Sequence, residues 1–149
     1  MPQFTMGSPA GLLTATEENG AIVSLHFGGE RKTLPRTPLL QEVQRQLTAY
    51  FSGALREFDL PLAPRGTPFQ CAVWQALREI PYGEVRSYGE IAAAIGRPNA
   101  CRAVGMACHV NPIAIVVPCH RVMGKSGALT GYAAGVERKR VLLALEQKK

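Results

Sequence analysis

Asp59-Leu60-Pro61-Leu62-Ala63-Pro64-Arg65-Gly66 constrains the fold of this chain more than any other stretch. Each proline fixes φ and removes a backbone donor, so neither a helix interior nor a central strand can run through it. A chain of 149 residues interrupted there is expected to form two units, 1–66 and 67–149, each with a small core of its own. Upstream, Leu12 to Thr16 and Ala21 to Phe27 are strand-like and flank Glu17-Glu18-Asn19-Gly20, a hairpin turn signal. Thr37-Pro38 then opens a helix with an apolar face of Leu40, Val43, Leu47 and Phe51, and Ser52-Gly53 stops it.

Downstream the pattern is helical. Thr67-Pro68-Phe69-Gln70 is a capping box with proline at the first helical position, and Phe69, Val73, Trp74, Leu77 and Ile80 form the buried face. Pro81-Tyr82-Gly83 ends that helix. Ser87-Tyr88-Gly89-Glu90 is a second capping box, leading into Ile91 to Ile95, which Gly96 closes. After the Arg97-Pro98 turn, Asn99 to about Val110 reads as the next helix. Two short helices joined by a tight glycine-containing turn suggest a helix-turn-helix, with an ordinary helical hairpin as the alternative. Residues 136–147 form a last amphipathic helix, with Val136, Leu142, Leu143 and Leu145 as its apolar positions. The fold class expected is α+β: a small N-terminal sheet and helix, followed by a mainly helical C-terminal domain.

Chemistry concentrates in the second half. Ile113 to Val117 is an apolar run that reads as a buried strand or core segment, broken by Pro118 and followed by Cys119-His120-Arg121-Val122. A thiol there sits at the end of a rigid element. The imidazole and guanidinium beside it in sequence are expected to favour thiolate, the nucleophilic form. The alternative is an inert core cysteine. The other cysteines, Cys71, Cys101 and Cys108, form no CxxC pair and are expected to be reduced thiols packed as small apolar groups, with partial exposure open for Cys101 and Cys108 on the second helix of the helix-turn-helix, in a cytosolic protein. Residues 1–66 carry as many acidic as basic side chains, so the whole net charge of +6 belongs to 67–149. Together with the helix-turn-helix pattern, that asymmetry points to nucleic acid. No apolar stretch approaches the ~20 residues of a membrane span, and no secretory signal is visible.

Val73-Trp74, Ile80-Pro81-Tyr82-Gly83, Ser87-Tyr88, Arg102-Ala103-Val104-Gly105, Asn111-Pro112 and Pro118-Cys119-His120-Arg121-Val122 resemble, in order, the motifs of the O6-alkylguanine-DNA alkyltransferase family. The resemblance covers Phe69 to Glu146; Tyr50-Phe51-Ser52-Gly53 and Phe58-Asp59-Leu60-Pro61 resemble its smaller N-terminal domain more loosely. It implies irreversible, single-turnover transfer of an alkyl group from O6-alkylguanine in DNA to Cys119, with O4-alkylthymine as a second candidate substrate. His120 would take the thiol proton through a water, Glu146 would orient the imidazole, and Tyr88 would donate to the departing guanine. Arg102 would fill the gap left by the extruded nucleotide. Ala103 and Gly105 would allow close approach to the minor groove, with Ser87 also at the DNA. Asn111 would tie the helix-turn-helix to the active-site loop. Residues 127–135 would close over the base, with Tyr132, Ala133 and Val122 lining the pocket and the carbonyls of Cys119 and Val122 accepting the guanine amine. The resemblance implies a monomer that needs no cofactor or metal: some members bind zinc in the N-terminal domain, but residues 1–66 hold no cysteine and only His26. The rival readings are a non-catalytic lesion binder, which would lack the cysteine, and a Cys-His-Glu hydrolase, which leaves Arg102 and the basic half unexplained.

Overall fold

The computed structural model describes residues 1–124, 132 and 134–147. They form two units, Met1–Arg65 with Pro112–Ala114, and Gly66–Asn111 with Ile115–Lys149. In the first, β1 (Gln3–Met6), β2 (Leu13–Glu18) and β3 (Ala21–Phe27) make an antiparallel sheet in the order β1-β2-β3. The β2–β3 turn is the two-residue Asn19-Gly20, both at positive φ, which matches the twist of a tight hairpin. Glu17 and Glu18 belong to β2, with a register irregularity at Thr16/Glu17. Helix α1 (Pro38–Phe51) starts on a Thr37 side-chain cap and packs on β1 and β2. It buries Leu40, Val43, Leu47 and Tyr50, as the sheet buries Phe4, Leu13 and Ala15, while Phe51 is only half-buried. The proline-rich stretch is not a loose tether. Gln46, buried on α1, binds Asp59 through both ends of its amide at 2.9 Å, and Ile22 of β3 exchanges backbone hydrogen bonds with Pro61 and Ala63.

In the second unit both predicted capping boxes form. They open α2 (Pro68–Arg78) on Thr67 and Gln70, and α3 (Tyr88–Ala94) on Ser87 and Glu90. Helix α4 (Cys101–His109) packs on both, and the buried Trp74 indole N–H donates to the Ala107 carbonyl at 2.9 Å. A short 3-10 turn (Cys119–Arg121) leads into β5 (Val122–Met123), paired in parallel with β4 (Arg86–Ser87). Helix α5 (Val136–Gln147) follows.

Of the two readings of Ile113 to Val117, core segment holds and strand does not: all but Ala114 are buried, only Ile113 bridges, to Leu25, and Ile115 has φ of 70°, which breaks any ladder. The apolar face expected on the last helix is not the one that turns inward. On α5 the inward stripe is Lys139, Leu142 and Glu146, with Val136 exposed, so two of its three inward positions are ionisable. Among the described residues, no helix is long and apolar enough to cross a membrane.

Candidate active site

Cys119 opens the 3-10 turn, which α2 and α5 both touch, and its thiol is buried. The Asn111 side-chain amide, just beyond α4, donates to the Val117 carbonyl at 2.9 Å and contacts Cys119 Sγ at 3.2 Å. Asn111 therefore links the end of α4 to the turn that carries the thiol. His120 is fully buried, with Nε2 2.7 Å from Glu146 Oε2. Arg121 grips the same carboxylate, Nε to Oε1 at 2.8 Å and Nη2 to Oε2 at 3.0 Å, and donates to the Ile80 carbonyl at 2.7 Å. The Pro81-Tyr82-Gly83 turn secures the end of α5 that carries Glu146. Gly83 has φ of 83°, an added Cβ would lie 3.3 Å from the Glu146 carbonyl oxygen, and Gln147 donates to the Gly83 carbonyl.

These contacts set the protonation states. A carboxylate facing Nε2 makes that nitrogen the donor, so Nδ1 is the acceptor of a neutral imidazole. Nδ1 is buried and has no hydrogen-bond partner among the described residues. Burial holds the imidazole below its ordinary pKa in spite of the Glu146 hydrogen bond. Burial also pushes the Cys119 thiol up to about 11, against the lowering pull of the Asn111 amide and Lys139. The sequence expectation of a resting thiolate is therefore not met. Arg121 is committed to Glu146, and desolvation outweighs the cations nearby.

Lys139 was not singled out by sequence. It is buried, its ammonium donates to the Val122 carbonyl at 2.5 Å, and it interacts electrostatically with both Cys119 and Cys108. Burial lowers its pKa. Its spacing from Glu146, on the same face of α5, was the available signal.

The remaining candidates are placed as follows. Ser87 caps α3, with its hydroxyl accepting from the Glu90 N–H at 3.0 Å. Tyr88 begins α3 half-buried, its ring beside Gly105; an added Cβ at Gly105 would only touch that ring, at 3.9 Å, so internal packing does not demand glycine. Arg102 and Ala103 are exposed on the first turn of α4. Among the described residues Arg102 has no hydrogen-bond or ion-pair partner. Val122 is fully buried, and Tyr132 is buried with a hydroxyl unpartnered among the described residues. Burial pushes the Tyr132 phenol well above its ordinary pKa. The carbonyls expected to hold a guanine amine already accept internally, Cys119 from the Val122 N–H and Val122 from Lys139. Each oxygen retains a second lone pair. Ala133 and most of 127–135 lie outside the described residues. Of the other cysteines, Cys108 is buried, whereas Cys71 and Cys101 are exposed.

Residues 68–148 match the family model described as the 6-O-methylguanine DNA methyltransferase DNA binding domain, and residues 4–64 match that of its ribonuclease-like domain. The chain belongs to this family. A methylated-DNA–protein-cysteine methyltransferase of Methanosarcina acetivorans is 53% identical over 146 residues, spanning 93% of this chain and 94% of that protein. The crystal structure of Mycobacterium tuberculosis O6-methylguanine methyltransferase has a TM-score of 0.88 at 50% identity, covering 99% of this chain and 93% of that one. M. tuberculosis OGT in complex with DNA has a TM-score of 0.89 at 51% identity, covering 97% and 92%. The solved structures agree with the α+β architecture of this family member.

Proposed function

We propose that this protein repairs DNA by moving an alkyl group from O6-alkylguanine to Cys119, irreversibly and once per molecule. The observation that carries the reading is the buried Cys119 thiol held by Asn111, next in sequence to an imidazole whose free nitrogen is oriented as an acceptor by Glu146. Substitution at a saturated carbon calls for a soft sulfur nucleophile, which a hydroxyl cannot replace. With the thiol neutral at rest, its proton must leave as the bond forms. It passes to His120 Nδ1 through a water, Glu146 stabilises the resulting imidazolium, and Lys139 offsets charge building on sulfur. The carbon–sulfur bond forms, the carbon–oxygen bond breaks with its electron pair on guanine, and Tyr88 supplies the proton that lets guanine leave neutral.

Residues 67–149 carry both DNA binding and alkyl acceptance in this reading. Helix α4 lacks a side-chain N-cap, which leaves its first-turn N–H groups suited to the phosphate-rich rim of a minor groove. The protein acts as a monomer, with the alkylated base flipped out of the stack, and Arg102 fills the vacancy. Incubation with O6-methylguanine duplex is expected to leave each molecule heavier by one methylene and to stop there. A hydrolase would show turnover through a transient acyl species, and a lesion binder no adduct.

Two further outcomes follow. Arg102→Ala should slow repair of duplex DNA by roughly 10–100-fold while sparing reaction with free O6-benzylguanine, because extrusion costs a few kcal/mol that a free base does not require. Tyr88→Phe should slow both substrates. Equal slowing of both by Arg102→Ala would make that residue structural or catalytic. The second outcome concerns pH. His120, pushed below its ordinary 6.5, must be neutral to take a proton, and the thiol stays protonated up to about 11. The transfer rate should therefore be flat from pH 7 to 9 and fall only below the ordinary histidine range. A rise between pH 7 and 9, measured by stopped-flow transfer, would instead indicate attack by a preformed thiolate.

A further inference from the structure

We propose that Met106 is a DNA-contact residue, an apolar wedge that lies in the groove beside the lesion and helps hold the duplex open. The proposal rests on the reading of α4 as the DNA-facing helix. Met106 is 61% exposed, more than any other large apolar side chain of the second unit among the described residues. A lone exposed methionine needs no explanation by itself; its position does.

Helix α4 turns Val104, Ala107 and Cys108 inward, and leaves Arg102, Ala103, Met106, His109 and Val110 outside. Met106 is one turn beyond Arg102 and Ala103 and one turn before Val110, so it stands mid-strip on the face that bears Arg102. Ala103 is too short to shield it. The occupant we assign to that strip is duplex DNA, because the whole +6 net charge resides in 67–149 and a polyanion complements it. Phosphates would meet the cations, whereas sugar C–H groups and base edges inside a minor groove offer an apolar surface. Methionine is among the side chains that wedge between base steps and stabilise a kinked duplex, and its unbranched thioether adapts to an irregular gap. Such contact carries little sequence information, which suits a protein that must find lesions in any context.

The test compares the full-length protein with its Met106→Ala and Met106→Leu variants. The methyl-transfer rate is read on O6-methylguanine in a duplex and in the single strand of the same sequence. Met106→Ala is expected to slow duplex transfer about tenfold and single-strand transfer by about twofold or less, with Met106→Leu within about twofold of wild type on both. Unchanged duplex transfer by Met106→Ala would overturn the proposal. So would equal slowing on both substrates, or an altered oligomeric state with duplex repair intact, which would assign the strip to a second copy. Failure of the underlying reading looks different: wild type would transfer nothing, or Arg102→Ala would leave the duplex-to-single-strand ratio unchanged, and either result removes the proposal with it.

Discussion

Cys119→Ser is expected to abolish methyl transfer completely while duplex binding persists within about twofold, because the thiol supplies the chemistry and little of the affinity. A serine hydroxyl is a far weaker nucleophile toward saturated carbon, and no rearrangement of His120 corrects that. Serine is close to cysteine in size, and the Asn111 amide that contacts Cys119 Sγ at 3.2 Å can donate to the buried hydroxyl instead, so loss of folding does not confound the result. Cys71 and Cys101 are exposed and accessible to reagents, but among the described residues the buried imidazole–carboxylate pair is that of His120 and Glu146, adjoining Cys119 in sequence. Cys108 is the stricter control, since it is buried, interacts electrostatically with Lys139, and is pushed up to about 12 by burial. Stoichiometric methylation of Cys119→Ser at any of these three would remove the assignment. Duplex binding is read by gel shift and transfer by radiolabelled methyl.

Glu146→Gln should be the second large effect, reducing transfer by about 100-fold or more and lowering stability by about 2–4 kcal/mol. Glutamine keeps the shape but removes the charge that pairs with both Arg121 and His120. The Arg121 side chain is only 7% exposed, so its guanidinium would be left buried without a counterion. The imidazolium formed during transfer would lose its partner as well. Stability and rate can be separated: denaturant unfolding reads the first, and single-turnover transfer at a temperature where the variant is fully folded reads the second. A folded Glu146→Gln protein with the wild-type rate would show that the His120–Glu146 contact is structural alone.

The parts of the fold that were legible in the sequence are those whose causes are local. Thr67 with Gln70 and Ser87 with Glu90 fix two helix starts within four residues each, and Asn19-Gly20 fixes the hairpin. Strand β1 was missed because its register with β2, Gln3 to Thr16, is a pairing that no local signal announces. Ile113 to Val117 has strand composition, but Ile115 adopts a left-handed φ, so hydrophobicity recorded its burial and not its geometry. On α5, apolar periodicity does not reveal the inward face, because Lys139 and Glu146 are held there by polar partners: the Val122 carbonyl for Lys139, and His120 and Arg121 for Glu146.

The candidate site shows the same limit more sharply. Cys119 and His120 were readable as residue types in a pattern and Glu146 through the family resemblance alone, yet the protonation state of the thiol was not. Adjacency in sequence placed Arg121 beside Cys119, whereas adjacency in space gave Arg121 to Glu146 and brought Lys139 into electrostatic reach of the thiol. Desolvation then decides the resting state. A buried nucleophile kept neutral until substrate arrives is protected from adventitious electrophiles and oxidants, which matters for a protein that reacts once.

The most direct measurement is the location of the transferred group. Wild-type protein incubated with an equimolar O6-methylguanine duplex, digested and fragmented in the mass spectrometer, should carry one methyl group on Cys119 in every molecule, with guanine restored in the DNA. Restored guanine with Cys119 unmodified, or methyl groups spread over Cys71, Cys101 and Cys108, would contradict the account.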